Sequence, residues 1–279
     1  MIVYLNGDFI PKEEARLSPD DRGFLFADGA YEVFHAYEGR LFKADRHLAR
    51  MARSLRELRI DGPDTDRLGE IVETLIRRNN LGEGNAVVYL QITRGAAPRK
   101  HPFPNPGTPP TVYATASPHT LPLEKQTQGI RVILTPDLRW TRCDIKSAAL
   151  LPNVLAHQQA KDQGAEEALF VRDGMITEGA LTNVCAVFNG QLLTYPRSPY
   201  ILGGVTREVV LALCEKHNIP FQEYPVLEKD LRHADELFIC NTTSEVIPVI
   251  QVDEWTVGNG KPGPITRTLQ QAYRELTQD

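Results

Sequence analysis

The segment Pro118-His119-Thr120-Leu121-Pro122 constrains the fold more than any other stretch of the chain. Both prolines disfavour helix, so the segment is predicted to be a stiff, extended connection. The chain of 279 residues is long enough for two modest domains that each bury a core. We therefore expect a smaller N-terminal domain at residues 1–117, a linker at 118–123 and a larger domain at 124–279.

The N-terminal half alternates short strands with amphipathic helices. Turn sequences at Asn6-Gly7 and Glu38-Gly39-Arg40 lie between apolar runs, which predicts two hairpins. A helix capped by Asp45 is expected next, because apolar residues then recur at spacings of three and four. The residues of this face are Leu48, Met51, Leu55 and Leu58, and a second helical face carries Leu68, Ile71, Val72, Leu75 and Ile76. Strands are expected at residues 2–5, 9–10, 31–37, 41–42, 86–93 and 111–116.

The second half is richer in strands. Hairpin turns are predicted at Arg172-Asp173-Gly174 and Asn189-Gly190. Because both halves mix helices with strands, we expect an α+β fold of two domains with a cleft between them. The strands are predicted at residues 131–135, 168–171, 184–188 and 192–195, and the helices at 153–163, 206–216 and 265–276.

Charge and composition exclude several classes of function. The net charge is −5, from 31 basic and 36 acidic residues, with no basic block, so neither nucleic acid nor a membrane surface is expected as a partner. No run approaches the roughly 20 apolar residues of a membrane span. The N-terminal segment is typical of a strand entering a hairpin rather than a signal peptide, and we expect a cytoplasmic protein. The four cysteines form no Cys-x-x-Cys pair, which favours buried free thiols over a metal site.

Lys146 stands apart from the other lysines. It lies in the apolar run Ile145-Lys146-Ser147-Ala148-Ala149-Leu150-Leu151, whereas most lysines here have charged neighbours. An ammonium group is costly in apolar surroundings, and a lysine that sheds its proton can attack a carbonyl carbon. The alternative is a lysine that reaches solvent or pairs with Asp144.

Downstream residues could complete a cofactor site around such a lysine. Glu178 ends a predicted strand just before a glycine, and a pyridine cofactor needs an acid beside its ring nitrogen. Gly203-Gly204-Val205-Thr206 precedes a predicted helix, whose free N–H groups could bind a phosphate. Asn241-Thr242-Thr243-Ser244 offers further hydroxyl donors, and Arg50, on the polar side of the first helix, could clamp an anion. Each motif also occurs in ordinary turns.

Several segments together resemble the class-IV (fold-type IV) pyridoxal-phosphate aminotransferases. The likeness runs through Arg142-Cys143-Asp144-Ile145-Lys146-Ser147, Leu151-Pro152-Asn153-Val154-Leu155-Ala156, Glu178-Gly179 and Asn183. It extends from Asp21-Arg22-Gly23 and Asp28-Gly29-Ala30-Tyr31-Glu32 to Thr242-Thr243-Ser244-Glu245, which is essentially the whole chain. The resemblance implies a two-domain fold with pyridoxal 5'-phosphate in the cleft.

The resemblance also implies a role for each matching residue. Lys146 would hold the cofactor as a Schiff base and move the proton of the substrate α-carbon, and Glu178 would pair with the pyridine nitrogen. The other cofactor contacts would come from Arg50, Arg139, Asn183, Leu202, Val205, Thr206 and Thr242. The substrate contacts would come from Tyr31, Arg99, His101 and Thr243.

The loop from Gly95 to Pro110 indicates which subfamily of these aminotransferases the chain resembles. Its Arg99-Lys100-His101 resembles the Arg-x-His motif with which D-amino acid transaminases bind the substrate carboxylate, and an arginine fork suits a carboxylate. In that group the loop comes from the second subunit, which implies a homodimer. Ala180-Leu181-Thr182 departs from the serine-rich run of similar proteins, and His35 could alter the side-chain pocket.

The expected reaction is ping-pong transamination through pyridoxamine phosphate. A D-amino acid such as D-alanine would donate the amino group, and a 2-oxo acid such as 2-oxoglutarate or pyruvate would accept it. The alternatives are transamination of branched-chain L-amino acids or (R)-amines, an aminodeoxychorismate lyase, and a non-catalytic cofactor carrier. No Gly-x-Gly-x-x-Gly, Gly-x-Ser-x-Gly or His-Glu-x-x-His motif indicates another enzyme class.

Overall fold

The computed structural model describes residues 1–278, which contain eight α-helices and sixteen strands. By their contacts these residues form two compact units. Unit 1 comprises Met1–Thr120 and Ile145–Leu150, and unit 2 comprises Leu121–Asp144 and the described chain from Leu151 onward. No helix within residues 1–278 is both long and apolar enough to span a membrane.

Unit 1 contains a six-stranded antiparallel sheet in the order β2-β1-β6-β5-β3-β4. The strands are β1 (Ile2–Leu5), β2 (Asp8–Pro11), β3 (Gly29–Tyr37), β4 (Arg40–Leu41), β5 (Asn85–Thr93) and β6 (Thr111–Pro118). The helices are α1 (Arg22–Phe26), α2 (Ala44–Leu58) and α3 (Thr65–Arg78), with a short 3-10 turn at Lys12–Glu14.

One face of this sheet packs against α2 and α3 and forms the core of unit 1. Alternate residues of β5 and β6 point into that core, as the two-residue period of a strand requires. The predicted apolar faces of both helices are confirmed. Met51 and Leu55 are buried and Leu48 and Leu58 pack against the core, and all five predicted residues of α3 are buried.

The predicted cap of α2 is wrong. The helix begins at Ala44 after Lys43, whose backbone is left-handed (φ 53°), and no side chain caps it. Asp45 lies inside the first turn instead, where its charge still favours the positive end of the helix dipole. An N-cap residue normally has an extended backbone and a short polar side chain, and Lys43 has neither.

Unit 2 contains a mixed ten-stranded sheet in the order β12-β11-β10-β14-β15-β7-β8-β9-β13, with β16 paired to β15. Its strands are β7 (Ile130–Pro136), β8 (Glu167–Arg172), β9 (Met175–Gly179), β10 (Asn183–Phe188), β11 (Gln191–Thr194), β12 (Phe221–Glu223), β13 (Val226–Leu227), β14 (Glu236–Asn241), β15 (Glu245–Val252) and β16 (Trp255–Thr256). Its helices are α4 (Leu123–Gln128), α5 (Leu151–Asp162), α6 (Val205–Lys216), α7 (Glu228–Leu231) and α8 (Pro264–Gln278).

Most predicted elements are confirmed to within a few residues. The hairpin turns at Asn6-Gly7, Asp173-Gly174 and Asn189-Gly190 all have two successive residues at positive φ, which matches the twist of the flanking strands. The four cysteines are buried thiols. The helices α1, α4 and α7 and the strands β12, β13 and β16 were not predicted, because they are too brief to show a period. The strands β14 and β15 were also not predicted, although they lie next to each other in the middle of the sheet.

Candidate active site

Lys146 belongs to a short segment that joins the sheet of unit 1. Ser147 forms a β-bridge with Ala30, and the backbone N–H of Tyr31 donates to the Lys146 carbonyl oxygen at 3.0 Å. The Lys146 N–H donates to the Ser54 hydroxyl oxygen at 3.2 Å. These bonds fix the backbone of Lys146 from two sides, so its side chain leaves from a defined point.

The amino group of Lys146 lies against an aromatic face. Its Nζ is 4.2 Å from the centroid of the Tyr31 ring, and Tyr31 in turn stacks on Tyr89 with centroids 5.7 Å apart. Burial, followed by the neighbouring Tyr31 and Tyr113, raises the pKa of Tyr89 to about 12. Tyr89 therefore keeps its hydroxyl proton at neutral pH, which it donates to the Gln91 side chain. The structure thus brings the predicted residues Lys146 and Tyr31 together.

Arg50 is tied to a buried carboxylate rather than lying on a polar helix face. Its Nε and Nη2 donate to the two oxygens of Glu32 at 2.9 and 2.7 Å, and His47 lies 3.0 Å from the same carboxylate. Burial opposes ionisation of Glu32, but the charge of Arg50 and the bond with His47 hold its pKa well below the ordinary value. Glu32 therefore orients the Arg50 fork.

Arg99 and His101 share an aromatic neighbour in α1. The Arg99 guanidinium carbon is 5.1 Å from the centroid of the Phe26 ring, and the His101 ring is 5.5 Å from it. Both residues are exposed on the chain. The loop around them contains no helix or strand between residues 95 and 110, as predicted.

Glu178 lies at the centre of a buried hydrogen-bond network in unit 2. Its Oε1 accepts from Arg139 at 2.5 Å, and its Oε2 accepts from the Asn183 amide at 3.1 Å and the Leu202 N–H at 3.0 Å. Arg139, Asn183 and Leu202, which were predicted as cofactor residues, thus all contact Glu178, which was also predicted. A carboxylate can accept about four hydrogen bonds, so one acceptor position remains for a further donor.

Two residues that were not predicted from the sequence support this network. The Asp137 side chain is fully buried, accepts from Arg139 through both oxygens at 2.9 Å and also pairs with Arg172. Burial raises the pKa of Glu178 to about 7, against the charge and hydrogen bond of Arg139, while the negative charge of Asp137 raises it further. Two arginines and two carboxylates balance formally. Asp137 is recognisable as part of the site only from its ion pairs with Arg139 and Arg172, which the fold brings together.

The N-terminus of α6 presents free backbone donors close to Glu178. The helix begins at Val205 with Gly204 as its cap and no side-chain capping bond, and the first N–H groups of a helix have no partner within it. Asn183 links the two places, because its amide donates both to Glu178 and to the Leu202 carbonyl oxygen. A Cβ at Gly204 would collide with the Asn183 amide oxygen.

The turn that joins β14 to β15 carries Thr242 and Thr243. The Asn241 side-chain oxygen accepts from the N–H groups of Thr243 and Ser244 at 3.1 and 2.8 Å, which shapes the turn. Thr242 is partly exposed there. A helix N-terminus and a threonine turn are both suited to bind an anion.

The unusual Ala180-Leu181-Thr182 turn is held by residues other than serines. Glu167 is buried and accepts from the Leu181 N–H and the Thr182 hydroxyl at 3.1 and 3.2 Å. The Asn153 amide donates to the Ala180 carbonyl oxygen at 2.7 Å. These bonds fix the connection from Glu178 to Asn183.

Comparison with known proteins identifies the class to which this fold and these residues belong. A family model described as Amino-transferase class IV matches residues 29–252. The chain therefore belongs to the class-IV aminotransferase family, and its fold is of type IV. The match includes Tyr31, Arg50, Lys146, Glu178 and Thr242.

Individual relatives narrow the comparison. D-alanine aminotransferase from Staphylococcus haemolyticus is 42% identical over 274 residues, which cover 98% of this chain and 96% of that protein. Among solved structures, the Escherichia coli branched-chain amino acid aminotransferase has a TM-score of 0.92 at 27% identity and covers 99% of this chain and 94% of that one. The branched-chain aminotransferase of Thermoproteus uzoniensis, solved with norvaline, has a TM-score of 0.89 at 25% identity, with 99% and 94% covered.

Proposed function

We propose that this protein transfers the amino group of a D-amino acid such as D-alanine to a 2-oxo acid such as 2-oxoglutarate or pyruvate. The observation that carries this proposal is the identity of about 42% with D-alanine aminotransferases over nearly the full length of both chains. The branched-chain structures match the fold closely but share only 25–27% of the residues.

The described residues provide the kinds of group that pyridoxal 5'-phosphate requires: a lysine against an aromatic face, a buried acid and a helix start with free N–H donors. When bound, this cofactor supplies an aldehyde that a primary amine can capture and a pyridine ring that accepts electrons. Lys146 is the amine that we assign to the aldehyde carbon, and Glu178 is the acid that we assign to the ring nitrogen. The open acceptor position on Glu178 supports this assignment, because a protonated ring nitrogen would fill it.

Lys146 is proposed to act as the proton-transfer base at the substrate α-carbon. The Tyr31 ring supports its side chain, and the hydrogen bonds of its backbone segment to Gly29, Tyr31 and the Ser54 hydroxyl limit how far it can move. Such positioning is what general acid–base catalysis requires, and it contributes roughly 10²–10⁴ in rate.

The phosphate is assigned to the first N–H groups of α6, the Thr206 hydroxyl, Thr242 and Arg50. Glu32 holds the Arg50 fork in place before any anion arrives. Leu202, whose backbone is pinned by Glu178 and Asn183, is assigned to the ring face.

Arg99, His101, Tyr31 and Thr243 are assigned to the substrate carboxylate. Arg99 and His101 are exposed on their own chain, which supports a homodimer in which this loop serves the partner's site. An arginine can bind a carboxylate through two parallel hydrogen bonds.

A visible-absorbance titration tests the proposed function. The purified protein, loaded with pyridoxal phosphate, is titrated with D-alanine, L-alanine and L-leucine. We expect D-alanine to convert the cofactor band and Lys146→Ala to abolish the conversion, whereas Lys12→Ala, a change at an exposed lysine, leaves it intact. Conversion by L-leucine alone would favour the branched-chain activity that the solved structures suggest, and no response to any amine would refute transamination.

A further inference from the structure

The helix α1 lies directly beneath the loop that carries Arg99 and His101. Arg22 and Phe26 are four residues apart, so they share one face of α1. The Arg22 guanidinium carbon is itself 4.7 Å from the centroid of the Phe26 ring. We call this pair the α1 platform.

The platform holds the loop through its backbone. Arg22 Nη1 donates to the Lys100 carbonyl oxygen at 2.6 Å, and Nη2 makes a longer bond of 3.4 Å to the His101 carbonyl oxygen. The Arg22 N–H also donates to the Gly95 carbonyl oxygen at 2.9 Å. Arg22 therefore fixes the loop backbone before and after Arg99, the residue assigned to the substrate carboxylate.

The platform also holds the side chains of the loop. Phe26 lies 5.1 Å from the Arg99 guanidinium and 5.5 Å from the His101 ring. A cation above an aromatic face gains stabilisation while its N–H groups stay available at the edge. Phe26 can thus orient Arg99 without occupying the hydrogen-bond donors that a carboxylate would need.

A partly buried carboxylate keeps the platform in place. Asp28 accepts from Arg22 Nε at 2.8 Å and from Arg94 Nε and Nη2 at 2.8 and 2.9 Å. Burial by itself would raise the pKa of Asp28, but the bonds from Arg94 and Arg22 bring it below the ordinary value. Arg94 further lies 3.7 Å from the centroid of the Phe103 ring, which anchors the far end of the loop.

The charged groups around the α1 platform form a cluster that favours an anionic ligand. Two guanidinium groups, Arg22 and Arg94, share the single carboxylate of Asp28. The buried carboxylate of Asp21 is offset by Arg59, which lies over the Phe103 ring, so one formal positive charge remains beside the loop. Arg99 adds a second. Clustered charge of one sign raises the local concentration of the opposite ion, so the cluster attracts the carboxylate that Arg99 would bind.

We propose that the α1 platform, Arg22 with Phe26, positions Arg99 and His101 for the substrate carboxylate and so determines the affinity for amino acids. This inference rests on the proposed function, because it takes the carboxylate-binding role of the loop from there. Arg22 and Phe26 are positioning residues that act through the loop.

Two substitutions with matched controls test the platform. Phe26→Leu removes the ring, and its control Phe24→Leu removes an exposed ring from the same helix. Arg22→Lys keeps the charge but loses the planar fork. Its control is Arg131→Lys, because Arg131 likewise donates to two backbone carbonyls and one carboxylate, at a place far from the loop in sequence.

The affinities for two amines separate positioning from general damage. D-alaninol has a hydroxymethyl group in place of the carboxylate of D-alanine. Single-turnover titrations of the cofactor-loaded protein should show that Phe26→Leu and Arg22→Lys raise the Kd for D-alanine about threefold to tenfold. The limiting rate and the Kd for D-alaninol should stay within about twofold, as should every value for the two controls.

Hydrogen exchange gives a second readout that needs no turnover. Residues 96–103 should exchange faster in Phe26→Leu than in the wild type and in Phe24→Leu, and this variant remains informative if Arg22→Lys fails to fold. An unchanged Kd for D-alanine, equal weakening of D-alanine and D-alaninol, or unchanged exchange of the loop would each overturn the proposal. If D-alanine does not convert the cofactor of the wild-type protein, the proposed function fails instead. Hydrogen exchange still tests whether the platform holds the loop.

Discussion

Glu178 is a buried acid in the core of unit 2. Its network of Arg139, Asn183 and the Leu202 N–H supplies three donors, and Asp137 fixes the arginine from behind. The acid and its glycine neighbour were recognisable from the sequence, but Asp137 was not. Its role depends on arginines two and thirty-five residues away, and no local pattern shows that pairing.

The raised pKa of Glu178 makes a testable contribution to stability. Its pKa rises from 4.5 to about 7 in the cofactor-free fold, so between these values the native state binds more protons than the unfolded state. The free energy of unfolding should therefore fall as pH rises through this window, by up to about 3 kcal/mol from this group. The contribution is fully present below pH 4.5 and lost above pH 7.

A double difference isolates this effect from other titrating groups. Urea unfolding of the cofactor-free wild type and Glu178→Gln is measured at about pH 5 and about pH 8. The variant should gain stability relative to the wild type between the two pH values. Glu166→Gln, at a carboxylate paired with two exposed lysines, is the control and should show no such gain. A constant difference for Glu178→Gln would contradict the raised pKa.

The elements of the fold differ in how far the sequence specifies them. The helices α2 and α3 and the Asn-Gly hairpins follow from period and turn chemistry, which act over a few residues. The pairing of β14 with β10 and of β15 with β7 joins segments from distant parts of the chain. Register of this kind is set by packing, so the sequence pattern did not predict it. The helix α1 is too short for a periodic signal, although it carries the platform.

The start of α6 gives a prediction at the scale of an element. Gly204→Ala should lower the affinity for pyridoxal phosphate at least about tenfold, because its Cβ would displace the Asn183 amide that connects Glu178 to Leu202. Gly203→Ala is the matched control, since its Cβ would meet only the Arg197 side chain at 4.0 Å. Affinity is measured by fluorescence or absorbance titration of the cofactor-free protein. Equal affinities for the two variants would contradict the role of this close approach.

At the scale of the whole molecule, the family follows from the full length of the chain rather than from one motif. Lys146 belongs to unit 1 through the segment Ile145–Leu150, although its sequence neighbours on both sides belong to unit 2. Two domains were expected from the sequence, but this exchange of a short segment was not. The segment is held in unit 1 by backbone hydrogen bonds of Lys146 and Ala148 to Tyr31 and Gly29, which lie far away in the chain.

The proposed homodimer predicts complementation between inactive variants. If the Arg99 loop serves the partner's site, a heterodimer of Lys146→Ala and Arg99→Ala chains has one intact site and one doubly altered site. Co-expression in equal amounts should then restore about a quarter of the wild-type activity, because about half of the dimers carry one intact site of two. No recovery, with heterodimers verified by two affinity tags, would place the loop in its own chain's site.

The most direct test of the central claim is the identity of the residue that binds the cofactor covalently. The protein loaded with pyridoxal phosphate is reduced with borohydride, digested and examined by mass spectrometry. We predict a single pyridoxyl modification, on Lys146, that disappears in Lys146→Ala and persists in Lys12→Ala. A modification on any other lysine, or none in a protein that retains transaminase activity, would contradict the account.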